Sequence, residues 1–405
     1  MPTSRALELF VWLLIAASLI AVIAARTKVP YTVALVIGGL IIGSLHRFSL
    51  VSNLTRAVRP EWFTPDVVLF LFLPPLLFEA SINLPLAHLR DNLFPILLLA
   101  SVGVLAATVI TGFAVHWAFG IPVIVALVFG AIISATDPIS VISVFREMGV
   151  SRRLSMILEA ESLFNDGTAI VLFGILTAGI GSQHLGIWKG VAEFLVTVIG
   201  AALLGAVMGY LFTTAIERLH EPRMDLMLTT ILAYGSYLAA QSLHLSGVIA
   251  TVAAGIVIGN WGAHVGTTPN RRAVVRSFWD FTAFVINSLL FLLIGIRVEV
   301  GHLLHAWEAT LIAVAATLFG RALSVYGLTP ISNVFAARIP PRWQHLLVWG
   351  GLRGAIALAL VLSLQDPFPY RADLLTWTFG VVAFSIIVQG LTIKPLITAL
   401  RLEAK

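Results

Sequence analysis

The chain of 405 residues contains no cysteine, and only 11% of its residues are charged. The first absence removes disulfides, thiol nucleophiles and thiolate metal sites, and leaves the redox compartment unread. The second, set against roughly a quarter charged residues in soluble domains and joined to a hydrophobic fraction of 59%, excludes an ordinary globular protein. Two further absences matter. No polar stretch is long enough for a separate soluble domain, and no basic stretch interleaved with aromatics offers a surface to nucleic acid. The net charge of +5 is modest, so its placement says more than its size.

What the chain has is a succession of apolar runs of about 20 residues, each able to cross a hydrocarbon core of about 30 Å as a helix. We therefore expect an all-α polytopic membrane protein. Punctuation by Pro, Gly and charge divides it into about thirteen spans. Their approximate limits are 7–25, 30–45, 64–82, 93–119, 121–146, 154–180, 187–216, 224–243, 246–262, 274–296, 303–330, 342–364 and 373–400. Only Gly120 and Pro122 separate the fourth from the fifth. The first run is long for a signal peptide, has little basic charge before it and is followed by Arg26 and Lys28, so we read it as a retained helix.

Basic residues gather in alternate loops: Arg26 and Lys28; Arg146, Arg152 and Arg153; Arg271, Arg272 and Arg276; Arg338 and Arg342; and Lys394, Arg401 and Lys405. By the positive-inside rule those loops are cytoplasmic, which puts the N-terminus outside and the C-terminus inside a cell membrane. Span five contains Thr136-Asp137-Pro138, and span twelve contains Gly350-Gly351-Leu352-Arg353-Gly354. With span seven as connector these occupy corresponding positions in two halves, the pattern of an inverted repeat with two broken helices at a midplane transport site.

Ionisable groups inside a membrane are costly and mark function. The segment Glu161-Ser162-Leu163-Phe164-Asn165-Asp166-Gly167 concentrates them, with no Lys or Arg between Arg153 and Lys189. A carboxylate so isolated can take a proton or a small cation, but not readily both. Helical spacing sorts the segment: Ser162 and Asp166 are four apart, as are Glu161 and Asn165, whereas Glu161 and Asp166 diverge by about 140°. Glu161 and Asp166 are therefore expected to do different jobs. Ser162 either shares an ion with Asp166 or bonds to its own preceding turn.

Asp137 precedes a proline, where a helix breaks. It either helps hold the ion or only balances a half-helix N-terminus, while Thr136 offers both a hydroxyl and a carbonyl oxygen. Arg353 suits half-helix C-termini. Arg321, within span eleven, needs an anionic partner, and Glu161 is the one we assign. Glu79, near the end of span three, either serves the ion or snorkels to the interface. Asn287 and Ser288 are expected to be polar glue between helices.

Together with Phe72-Leu73-Pro74-Pro75, these motifs resemble the sodium/proton antiporters of the monovalent cation/proton exchanger family, in its NhaP-type branch, and the eukaryotic sodium/proton exchangers. The matching segments run in order from about residue 70 to 360. The resemblance implies a thirteen-helix inverted-repeat fold and a homodimer, in which a core domain moves against a dimerisation domain. It also implies exchange of one cation, sodium or lithium first, for one proton. Asp166 would carry the ion and the proton, with Thr136, Ser162 and Glu79 assisting. Asn165 would mark the electroneutral branch, Asp137 and Arg353 the crossed-helix charges, and Glu161 with Arg321 a core ion pair. Residues 1–63 and 187–262 would be mainly scaffold, and 64–180 and 274–400 mainly core. No cofactor is expected beyond the transported ions. The long tail of the animal exchangers does not follow span thirteen, which leads us to expect a prokaryotic-type transporter.

Three other readings compete. Potassium/proton exchange on the same fold would use the same oxygen ligands. A channel would need a continuous wet pathway rather than one occluded carboxylate. An intramembrane aspartic protease, the enzymatic alternative, also needs two carboxylates, but neither aspartate stands in a Gly-x-Gly-Asp context.

Overall fold

The computed structural model describes residues 3–27, 29–44, 64–180, 187–219, 221–261, 269–298, 301 and 305–403. Lys28 and Lys405, counted above among the basic loop residues, lie outside them, as do the far end of the interval 30–45 and the near end of 303–330. The described residues are helical with no strand. In chain order the helices are α1 (Thr3–Thr27), α2 (Tyr31–Ser44), α3 (Val67–Ile82), the short α4 (Leu86–Asp91), α5 (Leu93–Phe119), α6 (Val123–Ser134) and α7 (Ile139–Met148). There follow α8 (Arg152–Gly179), α9 (Ile187–Leu219), α10 (Pro222–Ser242), α11 (Gly247–Trp261), α12 (Pro269–Arg297) and α13 (Trp307–Phe335). The last are α14 (Pro341–Trp349), α15 (Ala355–Ser363) and α16 (Arg371–Leu400).

Eight helical stretches among the described residues are long and apolar enough to cross a membrane, and α2, α3 and α11 are shorter apolar helices. A helix is the one open structure that satisfies its own backbone in hydrocarbon, so runs of this composition have little alternative. Their ends follow local chemistry. Gly120 closes α5 in the left-handed region at φ 66°, which glycine alone adopts freely, and its amide donates to His116 O at 2.8 Å. Pro122 then stands before the first turn of α6, so the narrow Gly-Pro signal does separate two helices.

Two of the expected spans are each two helices. The chain is non-helical at residues 135–138 between α6 and α7, and at 351–354 between α14 and α15. The interruptions meet: the Asp137 amide donates to Leu352 O at 2.7 Å. Pro138 explains the first break and the run of glycines at 350, 351 and 354 the second.

The helices pack in two sets. α2 lies along α12, α11 against α9, α10 and α3, and α3 also against α12. In the other set α5 packs with α6 and α13, α8 with α6, and α16 with α13 and α15. α3 and α12 therefore side with the first set, whereas 64–82 and 274–296 were expected among the ion-carrying helices. The reason is close backbone approach. A Cβ on Gly295 of α12 would run into the Val36 carbonyl of α2, and one on Gly39 into the Leu292 carbonyl.

That contact generates a prediction. Gly295→Val should lower the melting temperature of the detergent-solubilised protein, at a cost of about 1–3 kcal/mol typical of overpacking. Gly301→Ala, where an added Cβ meets nothing within 4 Å, should leave it unchanged.

Candidate functional site

The crossing creates four half-helix ends deep inside the protein. The C-terminal carbonyls of α6 and α14 and the N-terminal amides of α7 and α15 have no helical partners, and in an apolar interior each would cost free energy. Arginines take the carbonyls. Arg353 Nη1 donates to Ser134 O at 2.8 Å and to Ala135 O at 3.4 Å at the end of α6. Arg321 does the same for α14, donating through Nη2 and Nε to Leu347 O at 3.0 and 3.3 Å. Gln389 adds a bond from Nε2 to Trp349 O at 2.9 Å. Ser385, at the start of the same π-helical turn of α16, accepts from the Arg353 amide at 2.7 Å.

One carboxylate serves the opposite ends. Asp137 Oδ1 accepts from the Ile139 amide at 3.0 Å, at the start of α7. The same side chain lies against Gly354 at the start of α15, where an added Cβ would come within 2.7 Å of it. Both ends carry partial positive charge, which a carboxylate offsets.

Glu161 is fully buried on α8 and accepts from Arg321 in a two-pronged pair, Nη1 to Oε1 at 2.7 Å and Nη2 to Oε2 at 2.8 Å. Arg321 thus satisfies both a carboxylate and a helix end. The second of these jobs was not foreseen.

Asp166 lies one turn further along α8 and differs from every group so far. It is buried, and its Oδ1 has no hydrogen-bond partner. Around it Thr136, Ser162 and Asn165 bond to one another. Thr136 Oγ1 donates to Ser162 Oγ at 3.2 Å, the Ser162 hydroxyl donates to Thr136 O, and Asn165 Nδ2 donates to Thr136 Oγ1 at 3.1 Å. Ser162 therefore does not bond to its own turn. Asn165 reaches the Thr136 side of the helix rather than facing away with Glu161.

Asp166, Ser162, Thr136 and Asp137 line a cavity of about 250 Å3 that extends to Arg146 and Glu159. Glu79 lines it too, held by Asn83, whose Nδ2 donates to Glu79 Oε1 at 3.0 Å. Glu79 thus faces the cavity, not the interface. Glu159 was missed, although it stands at i−3 from Ser162 and i−7 from Asp166, the spacing of one helix face. Asn287 was misread. Ser288 bonds to Tyr31 of α2 as helix glue, but Asn287 lines the cavity, with Oδ1 buried and unpartnered. A buried pair between α10 and α12, Arg271 Nη2 to Asp225 Oδ1 at 2.6 Å, was also unforeseen, because nothing in the local sequence joins two residues 46 apart.

The charges at the crossing can be summed. Arg353 and Arg321 are balanced by Asp137 and Glu161, which leaves Asp166 as the carboxylate without a counter-charge in that set. An arrangement of this kind can hold one monovalent cation or one proton.

A sequence model of the family described as "Sodium/hydrogen exchanger, transmembrane" matches residues 13–399. The chain is 39% identical over 406 residues to the Na+/H+ antiporter NhaG of Bacillus atrophaeus, covering 98% of this chain and 76% of that one. It is 40% identical to the Na+/H+ antiporter ApNhaP of Aphanothece halophytica, covering 93% and 70% of the two chains. It is 37% identical to the Na+/H+ antiporter NhaH of Halobacillus dabanensis, covering 97% of each. Its fold is similar to that of the sodium proton antiporter MjNhaP1 from Methanocaldococcus jannaschii, with a TM-score of 0.79, 21% identity and 99% of both chains covered.

The Glu161–Arg321 geometry yields a thermodynamic prediction. Glu161→Gln or Arg321→Ala strands one buried charge and should cost about 3–5 kcal/mol. The double variant should recover part of that loss, since neither charge is then unpaired. Melting curves of the two singles and the double decide it; strictly additive losses would mean that the pair is not a unit.

Proposed function

The chain belongs to the sodium/hydrogen exchanger family, a family of multi-pass membrane transporters, and on that premise we propose that it exchanges a monovalent cation, sodium first, for a proton by competition at Asp166. The observation that carries this reading is the unbalanced Asp166 carboxylate, buried in the lining of a cavity with Oδ1 unpartnered.

Ionised Asp166 in a low-dielectric site is unfavourable, and two partners relieve it. A proton neutralises the carboxylate covalently. A sodium ion neutralises it by contact and needs further oxygen ligands, which hard cations prefer. Ser162 and Thr136 stand ready beside Asp166, their hydroxyls oriented by each other and by Asn165. Glu79 and Glu159 make the approach to Asp166 acidic and raise the local concentration of cations. Asp137 keeps to its helix ends and acts on the ion through its charge.

The stoichiometry follows from Asn165. An amide does not titrate, so each loaded state holds one positive charge against one negative, and the loaded carrier is neutral either way. We further propose thirteen crossings in two inverted halves around α9, with the N-terminus outside and the C-terminus in the cytoplasm of the cell that bears it. The cavity, which reaches Arg146 in the last turn of α7, would then open inward. The moving body would comprise α5 to α8 and α13 to α16. The remaining long helices would form the scaffold of a homodimer, a reading supported by the exposed apolar faces of α1 and α9, including Trp12, Leu19, Leu195 and Leu203.

Two predictions test this. Purified protein in vesicles should show proton flux driven by sodium or lithium, and Asp166→Asn, which keeps the volume and removes the charge, should abolish it while the protein still folds. Flux retained in a folded variant would remove Asp166 from the role, and flux driven by potassium alone would make this a potassium exchanger. Secondly, the rate should ignore voltage, since a potential that acts with about 2.3 kcal/mol per charge per 100 mV has no net charge to act on. Clamping the vesicles at different potentials measures this directly, and a steep voltage dependence would refute one-for-one exchange.

A further inference from the structure

We infer that Asn287 is a second, scaffold-borne ligand of the transported cation, supplying its Oδ1 from across the gap between the two sets of helices. The inference rests on the exchange reading above and deepens it.

Three buried side-chain oxygens near the crossing lack a hydrogen-bond partner: Asp166 Oδ1, Asn165 Oδ1 and Asn287 Oδ1. A buried amide oxygen without a partner costs roughly 1–3 kcal/mol, so its retention calls for a reason. Asn165 has turned its amide to Thr136 and does not line the cavity, whereas Asp166 and Asn287 both do. Two residues that each carry an unpartnered oxygen, one charged and one neutral, thus line one chamber, and a hard cation is an occupant that satisfies both at once. A proton on Asp166 satisfies only the carboxylate.

The two oxygens belong to different bodies. Asp166 stands on α8, whose partners include α6 and α5. Asn287 stands on α12, fixed to α2 by the Gly39–Gly295 backbone contact, by the bond of Ser288 to Tyr31 and by stacking of Tyr31 on Phe284 at 5.3 Å. Ser288 faces α2. Its predecessor, about 100° round the helix, faces the cavity, as does Leu290. The side chain of Asn287 is therefore aimed by a rigid helix pair and does not travel with Asp166. A cation held by both would be bound tightly in this arrangement and would lose one ligand when the ion-carrying helices shift. Proton binding would be indifferent to that shift.

The test is the sodium dependence of proton flux in vesicles, measured across a range of pH for the unmodified protein, Asn287→Ala, the similarly branched but apolar Asn287→Leu, the oxygen-retaining Asn287→Ser, and Ser288→Ala. The first two variants should raise the KM for sodium about tenfold, the size expected when a charged partner loses one good contact. Their rate at saturating sodium should hold, and the increase should be by the same factor at every pH, because the proton affinity of Asp166 is untouched. Asn287→Ser should recover part of the affinity, and Ser288→Ala should leave it unchanged. An unaltered sodium KM in the folded Ala and Leu variants overturns the inference. So does a shift in proton competition together with KM, or an equal effect from Ser288→Ala, each of which would mark a packing role. All of these outcomes leave the Asp166 reading standing; absence of alkali-cation-driven flux in the unmodified protein is what would remove that reading.

Discussion

The constraint on which the site depends is that two helices stop in the middle of a membrane protein and cross there. Each break leaves backbone groups that lipid cannot satisfy, and irregular backbone at that depth is tolerated only where protein supplies partners. Arg353 on Ser134 O, Arg321 on Leu347 O and the Asp137 amide on Leu352 O are that supply. Once two guanidinium groups are spent on carbonyls, two carboxylates are needed to balance them. Glu161 and Asp137 follow from the crossing as directly as the arginines do. Asp166 is left over, and on the proposed exchange it is the group that takes the ion or the proton.

The same crossing arranges the oxygens that the proposed exchange would use. Thr136 sits in the non-helical stretch, so its carbonyl is free of any helix and accepts from Ser162, and its hydroxyl is shared by Ser162 and Asn165. These bonds lock three side chains relative to one another before any ion arrives. On the proposed exchange an ion would meet a preorganised set of oxygens, which loses little entropy on binding. The carboxylates that extend the cavity, Glu79 and Glu159, come from helices of different packing sets, α3 and α8.

Much of this could be read from the sequence because membrane burial makes polar residues conspicuous. Asp166, Glu161, Asp137, Arg321 and Arg353 stand out from apolar runs, and the breaks at Pro138 and at Gly350 to Gly354 obey local backbone rules that need no tertiary knowledge. The assignment of Glu161 to Arg321 came from elimination, since few carboxylates lie at similar depth. What could not be read depends on how helices pack. The grouping of α3 and α12 is set by glycine contacts such as Gly39 on Gly295, and many glycines in the chain look alike in one dimension. Asn287 and Ser288 read alike as one polar pair in an apolar helix, and only the rotation of α12 against α2 separates the two. Arg321 was matched to one partner, although a guanidinium has donors for two.

On the proposed exchange, charge balance would also contribute to coupling. On the proposed exchange, the helices that carry Asp166 move neutral when it holds a proton or a cation, and with a bare negative charge when it holds neither. Placing an ionised aspartate at the centre of an apolar span costs about 2.5–3.5 kcal/mol even on the lenient insertion scale. By the rule that 1.4 kcal/mol is a factor of ten, an unloaded crossing is disfavoured by about a hundredfold. One uncompensated arginine would erase that penalty, because the empty site would then be neutral and the loaded one charged. The pairing of Glu161 with Arg321 therefore protects coupling as well as stability. It keeps the Arg321 guanidinium from serving as the counter-charge of Asp166.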